Sequence, residues 1–231
     1  MPRTGGRTPY DPSNALVGPA RVLWAETTVT APTQLADIVS QVADAQGEYP
    51  AQAGWNDFGL MTDAPSVSHG RETSALEYQQ NAELFKVVSS VSRSFTATVG
   101  EIEPEILKLL ENTTITEAIA ASAAAAPKKN AAQTKIWTGL YAGLRQVRVA
   151  IIAYRPEGAG VVTEPGGATR PPAVARVIPI CQLSGDDIES EFPAGEPVSA
   201  EITFDAVADP ALGAKKEHGY WVIELPGAIA A

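Results

Sequence analysis

From Leu84 to Leu110 the chain changes period partway along, and the rest of the sequence can be read outward from that change. Val87, Val91, Phe95, Ala97 and Val99 fall on one side of an extended strand, with Ser90, Ser92, Ser94, Thr96 and Thr98 on the other. A period of two rich in β-branched residues predicts a half-buried strand with one wet face. Gly100 ends this pattern, and Ile106, Leu107, Leu109 and Leu110 then recur at helical spacing. Pro104 suits a first helical turn because its missing N–H would have no partner there. Glu101, Glu103 and Glu105 suit the positive end of the helix dipole. A long strand with a polar face therefore leads into a short amphipathic helix packed on the core.

Upstream, residues 1–18 read as a flexible arm, punctuated by Pro2, Pro9 and Pro12 and made basic by Arg3 and Arg7. Arg21 to Thr30 predicts a first strand, with Val22 and Trp24 on one side. Residues 31–53 form a long connection with a short helix over Leu35–Ala43. Trp55 to Thr62 is strand-like, and Val67 to Gly70 runs into a turn. Thr73 to Gln80 and Glu83 to Val99 form a hairpin across Gln80-Asn81-Ala82.

Downstream of the helix, Thr113 to Ala126 reads as a helix or an ordered excursion, broken at Pro127-Lys128-Lys129-Asn130. Ile136 to Tyr141 carries two aromatics, Trp137 and Tyr141. Gln146 to Tyr154 is a continuous apolar run, so it predicts a strand buried on both faces. Residues 157–172 hold too many glycines and prolines for an element interior and read as an outer loop or finger-like hairpin. Val174–Leu183, Ala200–Val207 and Tyr220–Leu225 complete the strands, and in the second of these Ile202, Phe204 and Ala206 oppose Glu201, Thr203 and Asp205. Eight or nine strands with a lone mid-chain helix predict a mainly β fold, a β-sandwich or half-barrel with one packed α-helix, organised as a single domain over residues 19–231.

Composition narrows the function classes. A chain of 231 residues buries roughly 70–75% of its unfolded surface without disulfides or metals. Cys181 is the lone cysteine and sits in an apolar alternating run, where it reads as a small buried hydrophobe. The net charge of −10 argues against a protein that grips DNA, since nonspecific affinity comes from Lys and Arg displacing counterions. It does not argue against one that DNA slides past. Met1–Asn14 has no apolar core, which predicts no secretory leader, and Ile115–Ala126 is too short for a membrane span.

The block from Gly54-Trp55-Asn56-Asp57-Phe58-Gly59 through an acidic strand at Glu72–Gln80, the Ser/Thr/Val strand and the Leu-rich helix resembles the major tail tube protein of long-tailed bacteriophages, particularly those of actinobacteria. The matching order spans roughly Trp55 to Thr114. The resemblance implies a structural virion protein whose hexameric rings stack into a hollow tube. Partners would be other copies of the chain, the tape-measure protein inside, and the tail terminator and distal tail or baseplate proteins at the ends. Double-stranded DNA would pass without specific binding. The protein would occupy the host cytoplasm before assembly and the virion after it. It also implies that a long early loop, here 31–53, reaches the next ring, and that residues 1–18 dock on a neighbouring subunit. A half-barrel with two open edges invites pairing, and six copies joined edge to edge would remove those edges and complete a larger barrel. Glu72, Glu77, Ser92, Thr96, Glu201 and Asp205 are the candidate lumen-facing residues, whose carboxylates and hydroxyls would keep phosphates from sticking.

No catalytic, metal or cofactor constellation assembles from the sequence. His69 and His218 each lie beside a glycine near an expected turn. Asp186, Asp187, Glu189 and Glu191 lack the central glycine and ligand spacing of a calcium loop, and Gly158-Ala159-Gly160 opens no helix, so it is no dinucleotide fingerprint. Enzymatic activity and cofactors are therefore not expected. Two other readings remain: another tail ring, such as a terminator or distal tail component, or a secretion-system tube; and, more remotely, a carbohydrate-binding β-sandwich with Trp24, Trp55, Trp137 and Trp221 as stacking platforms.

Overall fold

The structure is a computed structural model. It describes residues 17–44, 48–59, 61–78, 81–100, 103–111, 113, 116–119, 132–136, 144–155, 160–164, 167–184, 190–191, 199–213 and 219–228, with backbone alone at 17–19, 73–78, 81–89, 119, 190–191 and 228. The expected arm, the acidic stretch 185–189 and His218 lie outside the described residues, as do most of 120–131 and the aromatics Trp137 and Tyr141. The fold is mainly β, with one α-helix among the described residues.

In chain order the strands are β1 (Val17–Glu26), β2 (Trp55–Asp57), β3 (Ser66–Tyr78), β4 (Asn81–Val99), β5 (Thr116–Ile119), β6 (Gln133–Ile136), β7 (Gln146–Tyr154), β8 (Val162–Thr163), β9 (Thr169–Arg170), β10 (Ala173–Leu183), β11 (Ser190–Glu191), β12 (Ser199–Ala206), β13 (Tyr220–Ile223) and β14 (Gly227–Ala228). The helix α1 (Pro104–Leu110) lies between β4 and β5. The chain divides into two compact units. One comprises 1–57, 148–179 and 212–231, the other 58–147 and 180–211.

In the first unit the strands run β2-β1-β7-β10, with β13 antiparallel to the start of β10. Leu23, Ala25, Ala150, Ile152, Ala175 and Val177 meet Leu35, Ile38, Val39 and Trp55 in one core. The connection 31–53 thus feeds that core directly. Its expected helix shortens to a 3-10 turn, Leu35–Asp37, because the next residues go extended: Val39 bridges Ala51, and Gln52 N–H donates to the Ile38 carbonyl. β1 is buried on both faces, Leu23 and Ala25 as fully as Val22 and Trp24. Arg148, 8% exposed, donates to the carbonyls of Thr27, Val29 and Pro179 and ties the turn after β1 to the start of β7. The Gly/Pro-rich stretch contains the β8-β9 hairpin, with β14 parallel to β8, and it is not peripheral: Val162, Glu164 and Arg170 are buried.

In the second unit the last residues of β10 pair with β12, β12 with β4, and β4 with β3. Helix α1 starts as expected, with Pro in its first turn and Glu103 at the N-cap. It buries Ile106 and Leu109 and pairs Lys108 with Glu105. In the segment after it, read as a helix or an ordered excursion, Thr116–Ile119 is strand: β5 pairs with β6 from Thr116↔Ile136 to Ile119↔Gln133. Gly70 is likewise not at a turn. β3 runs straight through it, paired with Ser92 of β4, whose hydroxyl occupies the space a Cβ at Gly70 would take. Asn81 also belongs to a strand, closing the hairpin opposite Tyr78. No helix among the described residues is long and apolar enough to cross a membrane.

Candidate functional site

Strand alternation on β3, β4 and β12 builds one continuous polar surface in the second unit. The register sets Ser66, Ser68, Gly70 and Glu72 of β3 opposite Thr96, Ser94, Ser92 and Ser90 of β4. On its other side β4 sets Thr98, Thr96 and Ser94 opposite Glu201, Thr203 and Asp205 of β12. Gln182 of β10, opposite Asp205, extends the face by one more strand.

These side chains bond across the strands. The Ser68 and Ser94 hydroxyls share a hydrogen bond of 2.7 Å, the Thr96 and Thr203 hydroxyls one of 3.0 Å, and the Ser90 hydroxyl donates to Glu72 Oε2 at 2.9 Å. Cross-strand hydroxyl pairs of this kind hold register and orient a sheet surface. The reverse face is sealed where β4 meets β12. Phe95, Ala97, Val99, Ala200, Ile202 and Phe204 are at most 2% exposed, and Phe58 closes a ring cluster with Phe95 and Phe204.

The carboxylates are spread out rather than gathered. Glu201, Asp205 and Glu72 lie opposite Thr98, Ser94 and Ser90, positions about 13 Å apart along β4 at a strand rise of ~3.3 Å per residue. That exceeds the roughly 8 Å over which charges act at physiological salt, so each carboxylate acts alone. Among the described residues no group of three or more His, Cys, Asp or Glu side chains could hold a metal. The face presents hydroxyls and well-spaced carboxylates, a hydrated surface of diffuse negative potential.

Of the expected lumen-facing residues, Glu72, Ser92, Glu201 and Asp205 are exposed and Thr96 is half-buried, all on this face. For Glu77 the backbone lies in β3 beyond a register shift at Glu72/Thr73, and its side chain is outside the described residues. The sequence reading missed Ser66, Ser68 and Gln182 as members of the surface. Their signal was parity: each pairs directly across a strand with a residue already on the wet side of β4 or β12. His69 has the opposite parity on β3 and is exposed. Trp24 and Trp55 are 1% and 5% exposed, so these two indoles are core and offer no stacking platform.

The first unit holds a buried polar cluster of a different kind. Arg170 grips both Glu224 oxygens at 2.5 and 2.8 Å, donates to Gln41 Oε1 at 2.7 Å and lies over the Tyr49 ring. Tyr49 donates to Glu164 at 2.5 Å, and burial together with that carboxylate pushes its phenol up to about 12. The members engage one another and brace the fold, while Arg170 Nε, buried without a hydrogen bond, lies 3.8 Å from Glu164 Oε1. A cleft of about 490 Å³ beside Thr30, Thr33, Asp37 and Gln52 is equally committed. Burial alone would raise the Asp37 carboxyl, but donors from Thr33 and Gln34 outweigh it and lower it. The Cys181 thiol, buried and donating to the Val147 carbonyl, is raised by burial and inert as a nucleophile at neutral pH.

No protein-family model matches the chain, and no curated protein matches its sequence.

Proposed function

We propose that the chain is the subunit of a long-tailed phage tail tube, with the β3-β4-β12 face turned toward the channel through which double-stranded DNA passes. The observation that carries this reading is that face itself: hydroxyls bonded across strands, isolated carboxylates, no basic side chain among its described residues, and a sealed aromatic layer behind it. A neutral, hydrated surface with sparse negative charge gives phosphates nothing to exchange their counterions for, so DNA slides rather than binds. β3 is also the outer strand of its sheet among the described residues, pairing only with β4. An open strand thirteen residues long is an unstable feature in a lone molecule and a natural seam between copies. Six copies joined along such seams close a ring, and head-to-tail stacking of rings grows without closing.

In this reading the protein has no catalytic activity. The tape-measure protein fills the channel during assembly, and terminator and distal tail proteins cap the ends. The test is negative-stain microscopy of the purified chain over rising concentration. Hollow tubes of stacked rings support the reading. Single rings that never stack move the assignment to a terminator or distal ring, and a monodisperse monomer at every concentration overturns it.

A further inference from the structure

Four of the seven exposed large hydrophobic residues among the described residues gather at one edge of the first unit. Trp221 and Ile223 are 53% and 51% exposed on alternate positions of β13, Leu225 follows at 76%, and Val161 is 53% exposed. Gly227 N–H donates to the Val161 carbonyl at 3.0 Å, which brings Val161 beside the segment that follows Leu225. The indole is held in place: the Arg176 guanidinium carbon lies 5.0 Å from its ring centroid. Beyond β10, β13 has no strand partner among the described residues.

We propose that this edge is the docking site of the chain's own N-terminal segment, seated through Pro9-Tyr10-Asp11-Pro12. Three observations choose that occupant. The first is area. Side chains of these sizes and exposures offer roughly 400 Å² of apolar surface, about half of what each partner contributes to a standard protein–protein interface. A short segment fits the patch and a second globular copy does not.

The second is chemistry. Pro9 and Pro12 stand at the PxxP spacing, and prolines without N–H groups cannot extend a sheet ladder. They favour the polyproline II helix, which docks its ring faces on exposed aromatic and aliphatic side chains.

The third is reach. Arg148, near the start of β7, binds the carbonyls just after β1, so Val17 starts β1 at the far end, where β7 finishes. Arg155 N–H donates to the Pro172 carbonyl and Glu224 N–H to the Ala173 carbonyl, which places the ends of β7 and β13 together. Val17 is thus three strands from β13, about 14 Å. Residues 12 to 9 lie about 15 to 25 Å from Val17 at ~3.1 Å per residue, so the segment reaches the patch within one chain. The proposal stands whatever the chain assembles into.

The test is cysteine trapping in the full chain, with Cys181 buried and out of play. Tyr10→Cys is paired with Leu225→Cys, or with Glu48→Cys, an exposed site beside Tyr49, whose ring lies 6.2 Å from that of Tyr154 at the end of β7. Mild oxidation should give an intrachain bridge in the 10/225 variant about tenfold faster than in the 10/48 variant. Adding Pro9→Ala and Pro12→Ala should erase the preference. Equal rates in the two variants, a bridge that runs as a dimer, or a preference that survives loss of both prolines overturns the proposal.

Discussion

Phe95 of β4 and Phe204 of β12 face each other across the strand pair with ring centroids 6.2 Å apart and planes 18° from parallel, and Phe58 meets Phe204 edge-on. The same backbone pairing that stacks them places the Thr96 and Thr203 hydroxyls together on the opposite face. The aromatic layer therefore fixes the register of the polar one. Phe204→Ala should leave a cavity that fully buried neighbours cannot fill and cost about 3–5 kcal/mol, read as a lowered denaturant midpoint. A loss below about 1 kcal/mol would show that this layer does not hold the second unit together.

At Gly70 of β3 the Ser92 hydroxyl of β4 fills the space a Cβ would take. Gly70→Ala should destabilise by about 1–2 kcal/mol through forced displacement of Ser92. In a Ser92→Gly background the same change should stabilise by up to about 1 kcal/mol, because alanine lowers unfolded-state entropy at no steric cost. A double-mutant cycle reads the coupling. The same sign in both backgrounds would assign the glycine to something other than crowding.

Period and chemistry made much of this fold legible. The Gln146–Tyr154 strand, the alternation of β4 from Ser94 to Val99 and the Pro104 helix start all stand where the pattern put them, because each is set by local residues; Val91, expected on the buried side, is 39% exposed. Long-range pairing set what was missed. Gly70 reads as a turn from its own neighbours but is strand, paired with Ser92 of β4. Thr116–Ile119 reads as part of a helix or an ordered excursion until Gln133–Ile136 pairs with it. Leu35, Ile38 and Val39 look like one face of a surface helix, yet they are drawn into a core made by strands more than a hundred residues later. The polar face was half legible for the same reason. Parity within β4 and β12 was visible in each strand, but the hydroxyls of β3 joined it only through a register that no local pattern specifies.

Tyr49 supplies a pH test. Its phenol is raised from the ordinary 10 to about 12 by burial and by Glu164, which accepts its hydrogen bond. Folding therefore favours the neutral phenol. That contribution is complete below pH 10 and is lost as pH rises through about 12. Stability should fall across this window, and ultraviolet titration should show a tyrosine ionising late in the folded protein. Tyr49→Phe should abolish the late phenol and flatten that part of the fall. At neutral pH it should also cost about 1–3 kcal/mol, because the buried Glu164 carboxylate loses a donor. An unchanged alkaline profile in Tyr49→Phe would place the sensitivity elsewhere.

Glu201 and Asp205 alternate with the fully buried Ile202 and Phe204 and point away from the core. Replacing both with lysine should therefore change stability by no more than about 0.5 kcal/mol. The surface, however, changes sign where it matters for DNA. Two carboxylates become two ammonium groups on a face with no other basic side chain among its described residues, and each ring of six copies in the proposed tube would repeat the change. Lysines facing the channel give phosphates a counterion to exchange, so affinity for double-stranded DNA should appear and weaken steeply with salt. The measurement is binding of short duplexes to assembled wild-type and variant protein at two salt concentrations. No binding by wild type and salt-dependent binding by the variant, confined to duplexes able to enter the tube, agrees with a luminal face. Equal access for duplexes tethered to beads too large to enter would put this face on the outer wall and remove the channel from the proposed function.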